Sequence, residues 1–599
     1  MNNNIFTQSD GFKNEYCCSI VRIDKLTPIE SSDFLAKTDI FGVQIVVRKD
    51  QVKEGDIMIY AANETQLNEK FLSVNNLFEI GCRDMNANVD EVNAIMKPYL
   101  DVMPQIDKRR GDAKSVKSKI DNMTKKSSRL NEDIKKMKEK LSNYEKDSDD
   151  YIKLTNDIAD KQNMADKCYK IALENTTEYT NIKSEIEKMV KEGEPIVAQA
   201  KKLCGFFNKY RRVRCITLKG EPSFGFLFTG NELKRYCNDI TDEDIINNIG
   251  TDFDTINGDL FVKAYIPPVK PDNTNQGNSK SKHQNRIKKF DRMIDGEFFF
   301  HYDTKKFGNE INVMNPDDDV TISVKVHGTS GCFAKVHVKE KINLPFMKNL
   351  FNKFVDYTGL FKKHRITDYK VVYGPVYSSR TVIKNRYIND KVNSGFYKVD
   401  IWSEWGDIIY PYLEDGMTVY GEIFGYLTGT ETAIQKFYDY GCNKGENKFM
   451  PYRITTTSPD GSKYEWNVSE VKEWTDNLIE RMAMDGNVNK DRIHPIDILY
   501  KGTLADIYSD LDTDNNWHTN LLERMKNDKD NFGMELNEPL CTFNKVPREG
   551  IMIRINNDKL VRAFKLKTQS FMLKEAVSID AGEIDIEMMD NYCKQGEDN

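Results

Sequence analysis

The chain opens with short runs in which apolar residues alternate with polar ones, and the period then changes. YCCSIVRID (16–24), FGVQIVVRK (41–49) and DIMIYA (56–61) read as strands separated by turn chemistry such as KEGD. The same texture resumes at Arg211 with RRVRCITL, the turn KGEPS and FGFLF. Between these stretches, from about Met85 to Lys202, the spacing becomes helical. Val116, Ile120, Met123, Leu130, Ile134, Met137 and Leu141 recur every three or four residues, with one polar lapse at Ser127. A second series runs from Tyr151 through Ile158, Cys168 and Ile182 to Met189, and KDSDD lies between the two. This pattern predicts an antiparallel coiled-coil hairpin with arms of roughly 60 Å. It suits a spacer or a self-association or protein-partner device, with a specific RNA-binding role as the alternative. Strands flank it on both sides, so it reads as an insertion into one small β-barrel ending near Tyr265. PPVKPDNTNQGNSKSKHQNR (267–286) has linker composition, and from Phe290 to about Thr568 the pattern is mixed α and β.

The 599 residues suggest three or four structural units of ~100–200 residues each. With 39% hydrophobic residues the chain has material for several cores, which excludes wholesale disorder. No run approaches the ~18–20 apolar residues of a membrane span, so no membrane role is expected. The N-terminus shows no export signal. Eleven scattered cysteines without a CxxC pair point to a reducing cytoplasm. The net charge of −7 argues against a uniformly basic coat but leaves room for a local basic groove.

The most informative stretch is DDDVTISVKVHGTSG (317–331). VTISV alternates as a strand and HGTSG is a turn, so Lys325 is expected at a strand end, where a rigid backbone can hold an amine that forms a covalent intermediate. MTVYGEIFG (417–425) places Glu422 on a β-run, and PREGIMIR (547–554) places Glu549 at the head of another strand. The chain turns at NND and returns as VRAFKLKT (561–568). Alternation sets Lys565 and Lys567 on one face, an arrangement that calls for an anion such as a nucleotide phosphate.

In order, KVHG, YGEIFG, REGIMIR and FKLK resemble motifs I, III, IV and V of the covalent nucleotidyltransferases, the ATP-dependent ligases and mRNA capping enzymes. PYRITTT (451–457) stands where motif IIIa falls, and YSSRT (377–381) is similar to the arginine segment of RNA ligases. Only 31 residues follow Thr568, so the C-terminal OB domain of DNA ligases and capping enzymes is expected to be absent. The two β-stretches flanking the helical insertion resemble halves of the N-terminal OB domain of nick-sealing RNA ligases. HPIDILYKGTL (494–504) and FHYDT (300–304) also resemble that branch. The chain departs from the family at His327, Ser330 and Arg453.

The resemblance implies an α+β protein: an OB-fold domain in two parts (14–86 and 205–266) interrupted by the coiled coil (87–204), a linker (267–289), a nucleotidyltransferase domain (290–570) and an acidic tail (571–599). It implies an ATP-dependent RNA ligase that works through lysyl-AMP on Lys325, with Mg²⁺ or Mn²⁺ and RNA as partner, in the cytoplasm or, for a viral protein, the host cytoplasm. Glu422 is expected to hold the ribose, Tyr452 to lie against adenine, and Lys565 and Lys567 to meet the phosphates. Glu549, with Glu422, is expected to serve the metal. Arg380 is expected to position the RNA end, and His327 belongs to the catalytic turn. The Lys325 amine must be depressed from the ordinary ~10.4 by burial and neighbouring charge. A DNA-nick ligase or capping guanylyltransferase is the nearest alternative, and a catalytically silent RNA-binding scaffold assembling through its coiled coil is the alternative from another class. FMKNLFNKFVDYTGLFKKHR (346–365) reads first as an amphipathic helix that packs its Phe stripe on the core, and alternatively as an RNA-strand contact with lysines on phosphate and aromatics on bases.

Overall fold

The structure is a computed structural model and describes residues 5–9, 16–146, 148–267, 290–302, 304–358, 362–387, 399–458, 461–513, 516–542, 546–556 and 562–581. Most of the expected linker and the end of the acidic tail lie outside the described residues. The chain divides into two compact units. One comprises Met1–Thr65, Val213–Phe228 and Ile245–Asn599, the other Gln66–Arg212 and Thr229–Asp244. Among the described residues no helix is long and apolar enough to cross a membrane. Among the described residues no two cysteines form a disulfide.

In the larger unit the N-terminal β-segments pair as their alternation requires. Cys18–Arg22 lies between Ile57–Ala61 and Asp252–Phe253, and Thr27–Pro28, Leu35–Ile40 and Val43–Arg48 form a meander. Their inward residues, including Val21, Ile40, Ile45, Val47 and Met58, share one core. The segment returning after the insertion forms the hairpin Cys215–Leu218/Glu221–Phe224 and lies against Val43–Arg48. The departure and return of the chain are stitched together. The Glu64 N–H donates to the Val213 carbonyl (2.9 Å), and the Val213 N–H to the Thr65 carbonyl (2.8 Å). Among the described residues these strands remain in separate small sheets, and no closed barrel is traced. One reason is visible at the join. The Val46 N–H donates to the Ser223 hydroxyl (3.0 Å), so a side chain takes the place of a backbone ladder bond.

The smaller unit is dominated by two helices, Met103–Leu141 and Asp149–Lys201. Arg109 pairs with Glu185, Ser127 with Ala165 and Asp133 with Lys161, a register that closes toward the connecting loop and makes the helices antiparallel. Val116 and Ile134 face Ala165, Cys168, Ala172 and Ile182 as buried seam residues. The polar lapse at Ser127 is buried and satisfied, since its hydroxyl donates to the Ala165 carbonyl (3.2 Å).

From Lys305 onward the larger unit holds two five-stranded sheets. The first runs in the order Lys305–Lys306, Arg562–Lys567, Gly550–Ile555, Asp319–Lys325 and Ile498–Thr503. The second runs Tyr369–Ser378, Thr329–Lys341, Met417–Gly425, Asn447–Thr457 and Lys463–Glu465. The first buries Val320, Ile322, Ile551, Ile553 and Phe564 against the helix Trp517–Asn527. The second buries Phe333, Val419, Ile423 and Ile454 under the helices Ile401–Ile409 and Val468–Met484, with Trp405 fully enclosed.

One local expectation needs correction, and one further element was not anticipated. The helix Phe346–Thr358 does not pack a Phe stripe inward: Phe346, Met347, Leu350, Phe354 and Tyr357 are exposed, while Asn352 and Val355 are buried. The Asn352 amide sets that rotation, because it accepts from the Ile366 N–H (2.9 Å) and donates to the Ile366 carbonyl (2.8 Å). The segment after Thr568 begins as a helix, Gln569–Asp580, that is capped by the Thr568 hydroxyl. Its Met572 and Ala576 pack against Cys215 and Phe224.

Candidate active site

Lys325 is the last residue of its strand in the first sheet, and four residues later Thr329 opens a strand of the second. The lysine therefore stands where the chain crosses between sheets. Antiparallel register sets Lys325 opposite Gly550, and Gly550 opposite Lys567, in one row across three strands. Lys565 lies two residues back on the strand of Lys567, opposite Met552. It also pairs in parallel register with Lys306.

Glu549 precedes Gly550 and closes this row. Its Oε1 lies 3.0 Å from Lys325 Nζ and 3.4 Å from Lys567 Nζ. Lys567 also lies 3.4 Å from Glu575, on the helix that follows. Burial alone pushes the Glu549 carboxyl up, but the Lys325 and Lys567 ammonium groups outweigh it and hold the group down at about 2. Gly550 has φ +151°, and a Cβ there would overlap the Leu566 carbonyl, so the tight approach of these strands requires glycine.

The turn after Lys325 is held by side chains on every side. The His327 N–H donates to the Tyr440 hydroxyl (2.9 Å), the Gly328 N–H to Glu422 Oε1 (2.9 Å), and Gln435 Nε2 to the Gly328 carbonyl (2.8 Å). A Cβ on Gly328 would overlap the Ile423 carbonyl. The His327 ring lies edge-on to Tyr438 and Phe571, with Nδ1 3.8 Å from Glu549 Oε2. Burial lowers its pKa, which favours the neutral imidazole.

Tyr452 reaches the site through a β-bulge. Tyr420 pairs with Arg453 and Gly421 with Pro451, so Tyr452 is the extra residue, and its hydroxyl lies 3.3 Å from Ser330 Oγ. Arg453 has a different task. It lies between the rings of Tyr302 and Tyr420 (4.5 and 4.4 Å) and makes a two-pronged pair with Glu465. Arg554, on the first sheet, binds the same carboxylate, so Glu465 ties the two sheets together while Arg453 braces it within the second. Arg380 is half-buried on the turn after Tyr369–Ser378, at the strand end where Ser378 lies opposite Cys332. Nearby, Trp402 Nε1 donates to the Ser330 carbonyl (3.0 Å), and Lys384 lies 4.0 Å from the Trp402 ring centroid.

The arrangement thus gathers Lys325, His327, Glu549 and Lys567 in direct contact. Glu422 is one hydrogen bond from the turn, and Tyr452 is linked to it through Ser330. Glu575, Phe571, Tyr438 and Tyr440 were not singled out from sequence. Only the apolar spacing of Phe571, Met572 and Ala576 after the capping Thr568 carries a signal for that helix. Among the described residues no group of three His, Cys, Asp or Glu side chains forms a metal cage. Glu549 Oε2 is nevertheless a buried oxygen with no hydrogen-bond partner among the described residues. One open, ionised carboxylate oxygen suits a hydrated divalent ion held through water and substrate phosphates.

No protein-family model matches the chain, and no curated protein matches it. Solved structures of a Naegleria gruberi RNA ligase are similar to it at low identity. An apo mutant aligns over 93% of this chain and 98% of its own, at 12% identity and a TM-score of 0.41. A mutant with AMP and Mn aligns over 94% and 99%, at 12% identity and 0.41. The ligase with PPi aligns over 94% and 99%, at 11% identity and 0.38.

Proposed function

We propose that the chain is an ATP-dependent RNA ligase that joins 3′-OH and 5′-phosphate RNA ends through a lysyl-AMP intermediate on Lys325. The observation that carries this reading is the row Lys325–Gly550–Lys567 with the Glu549 carboxylate set between its two ammonium groups. A nucleophilic lysine needs an acceptor for its proton and cations for the leaving phosphate, and this row supplies both at contact distance.

In the first step the Lys325 amine attacks the α-phosphorus of ATP. A P–N bond forms, the α–β P–O bond breaks, and pyrophosphate leaves. The Lys325 ammonium first releases one proton to solvent to become the amine, and after attack the second passes to Glu549 Oε1, the acceptor at 3.0 Å. A triphosphate beside Lys565 and Lys567 competes for the charge that keeps Glu549 acidic, and so raises its basicity when it is needed. Glu422 exchanges its bond with the Gly328 N–H for one to a ribose hydroxyl, and Tyr452 lies along adenine. Glu549 would hold Mg²⁺ or Mn²⁺, which when bound would supply charge neutralisation of the phosphates. AMP then moves to the RNA 5′-phosphate, which Arg380 orients with its planar fork, and the 3′-hydroxyl displaces it. The N-terminal β-region, read as an OB-type domain, grips RNA, while the helical hairpin, read as a coiled coil, carries partner contacts. The reading places the enzyme in a reducing, cytoplasmic setting.

The test is incubation with Mg²⁺ and α-labelled ATP followed by a denaturing gel, comparing wild type with Lys325→Ala. A labelled band lost in the variant supports the reading. An unmodified lysine that stays unlabelled with ATP sinks it.

A further inference from the structure

The net charge of the helical unit is unevenly spread. Lys108–Arg129, one stretch of the helix Met103–Leu141, carries nine Lys or Arg against two Asp in a chain whose net charge is −7. At ~1.5 Å per residue this stretch is about 33 Å long. Its ion pairs among the described residues are few: Arg109 meets Asp112 and Glu185, and Arg110 meets Asp107. Lys114, Lys117, Lys119, Lys125 and Lys126 are exposed, and none takes part in an ion pair among the described residues. Helical spacing puts Lys114 and Lys125 opposite the buried seam of Val116 and Ser127. Lys119 and Lys126 flank that seam on one side and Lys117 on the other.

From this placement we infer that Lys108–Arg129 is a sequence-independent binding arm for the RNA phosphate backbone, an inference that rests on the ligase reading above. Cations spread over three sides of a rod fit a polyanion whose charges repeat along a groove or strand. A lipid surface fits poorly, because no large hydrophobic residue is exposed between Lys108 and Arg129 to enter the acyl boundary. A base-stacking role fits poorly for the same reason, since the stretch exposes no aromatic ring. Backbone contact without base contact is what a ligase acting on varied ends requires of a remote handle.

The test uses the full chain with Lys114, Lys117, Lys119, Lys125 and Lys126 all changed to Gln, which keeps helix propensity. A second variant carries Arg at the same five positions and keeps the charge. Far-UV circular dichroism confirms the helix in each. Fluorescence anisotropy then reads binding to a labelled mixed-sequence RNA duplex of about two turns across a salt series. The Gln variant is expected to bind at least about tenfold more weakly at ~0.1 M salt. Its log K against log salt slope should be shallower by about 2–4, near 0.7–0.9 for each lost phosphate contact. The Arg variant should restore both. Unchanged affinity and slope in a folded Gln variant overturn the inference, as does equal weakening in the Arg variant. Cosedimentation with phosphatidylserine vesicles that the Gln change abolishes, with RNA binding intact, overturns it in favour of a membrane. Labelling of wild-type Lys325 without RNA is run in parallel. A failure there strikes the ligase reading, whereas a failure confined to RNA binding strikes only the arm.

Discussion

Glu549→Gln is the sharpest structural test of the lysine row, because it removes one charge and almost no volume. The two ammonium groups lie 3.0 and 3.4 Å from the same oxygen, so they are at most about 6.4 Å apart. At an effective dielectric of ~20, each attraction to the carboxylate is worth about 5 kcal/mol before desolvation, and the repulsion left behind is at least about 2.6 kcal/mol. Breaking a buried pair by removing one partner typically costs ~3–5 kcal/mol. The Lys325 and Lys567 side chains are 22% and 24% exposed and can turn toward water, which reduces the loss. We therefore expect Glu549→Gln to cost about 3 kcal/mol, and Lys567→Met in the same background to recover ~1–2 kcal/mol by removing the repulsion. Urea unfolding followed by tryptophan fluorescence is well placed to read this. All five tryptophans, Trp402, Trp405, Trp466, Trp474 and Trp517, belong to the larger unit, so the helical hairpin is silent. A loss below ~0.5 kcal/mol, or strictly additive single changes, would refute the claim that Glu549 neutralises both lysines.

Further outcomes follow from other contacts. Gly328→Ala is expected to cost about 2 kcal/mol by urea unfolding and to reduce labelling of Lys325, because its Cβ meets the Ile423 backbone carbonyl, which cannot move aside. The Tyr508 hydroxyl and the Asn531 N–H hold Asp528 below its usual 3.8 against the opposing effect of burial. A carboxyl depressed on folding adds stability above its ordinary pKa, and that stability is lost as pH falls through the lower value. The urea midpoints of wild type and Asp528→Asn should thus differ at pH ~7 and draw together as acid protonates the carboxyl, and a gap that persists in strong acid would count against the pairing. Burial pushes the Cys442 and Cys541 thiols up to about 11 and Cys17 to about 12. In native protein at neutral pH, iodoacetamide with peptide mapping should mark Cys82 and Cys237 well before these three, and equal rates would contradict their enclosure.

What was legible in the chain, and what was not, divides along physical lines. Strand alternation and the following HGTSG turn suffice to put Lys325 at a strand end, and the 3–4 spacing suffices for two long helices, because both are local patterns. The grouping of Lys325, Glu549 and Lys567 depends on register across three strands and on a glycine at φ +151°, and neither is written in any one segment. Tyr452 owes its aim to a bulge between Tyr420 and Gly421 that no periodicity announces. The outward Phe346 and Phe354 mislead for a related reason: a single Asn352 clamp rotates the helix against its apolar moment. The small barrel was inferred from strand count and turns. Closure depends on ladder partners, and at Val46 the partner is a serine hydroxyl. The helix Gln569–Asp580 was hidden by the acidic composition of the residues beyond it.

The stitch at Glu64, Thr65 and Val213 bears on how such a chain can change length. Loop-closure entropy grows only logarithmically, so doubling an excursion of roughly 150 residues adds about 0.6 kcal/mol. The hairpin also forms from neighbouring segments, so its folding draws the two ends together before the surrounding strands must meet. A β-region interrupted this way tolerates lengthening or trimming of its guest by whole helical turns. Variation in the insert is thereby separated from the geometry around Lys325.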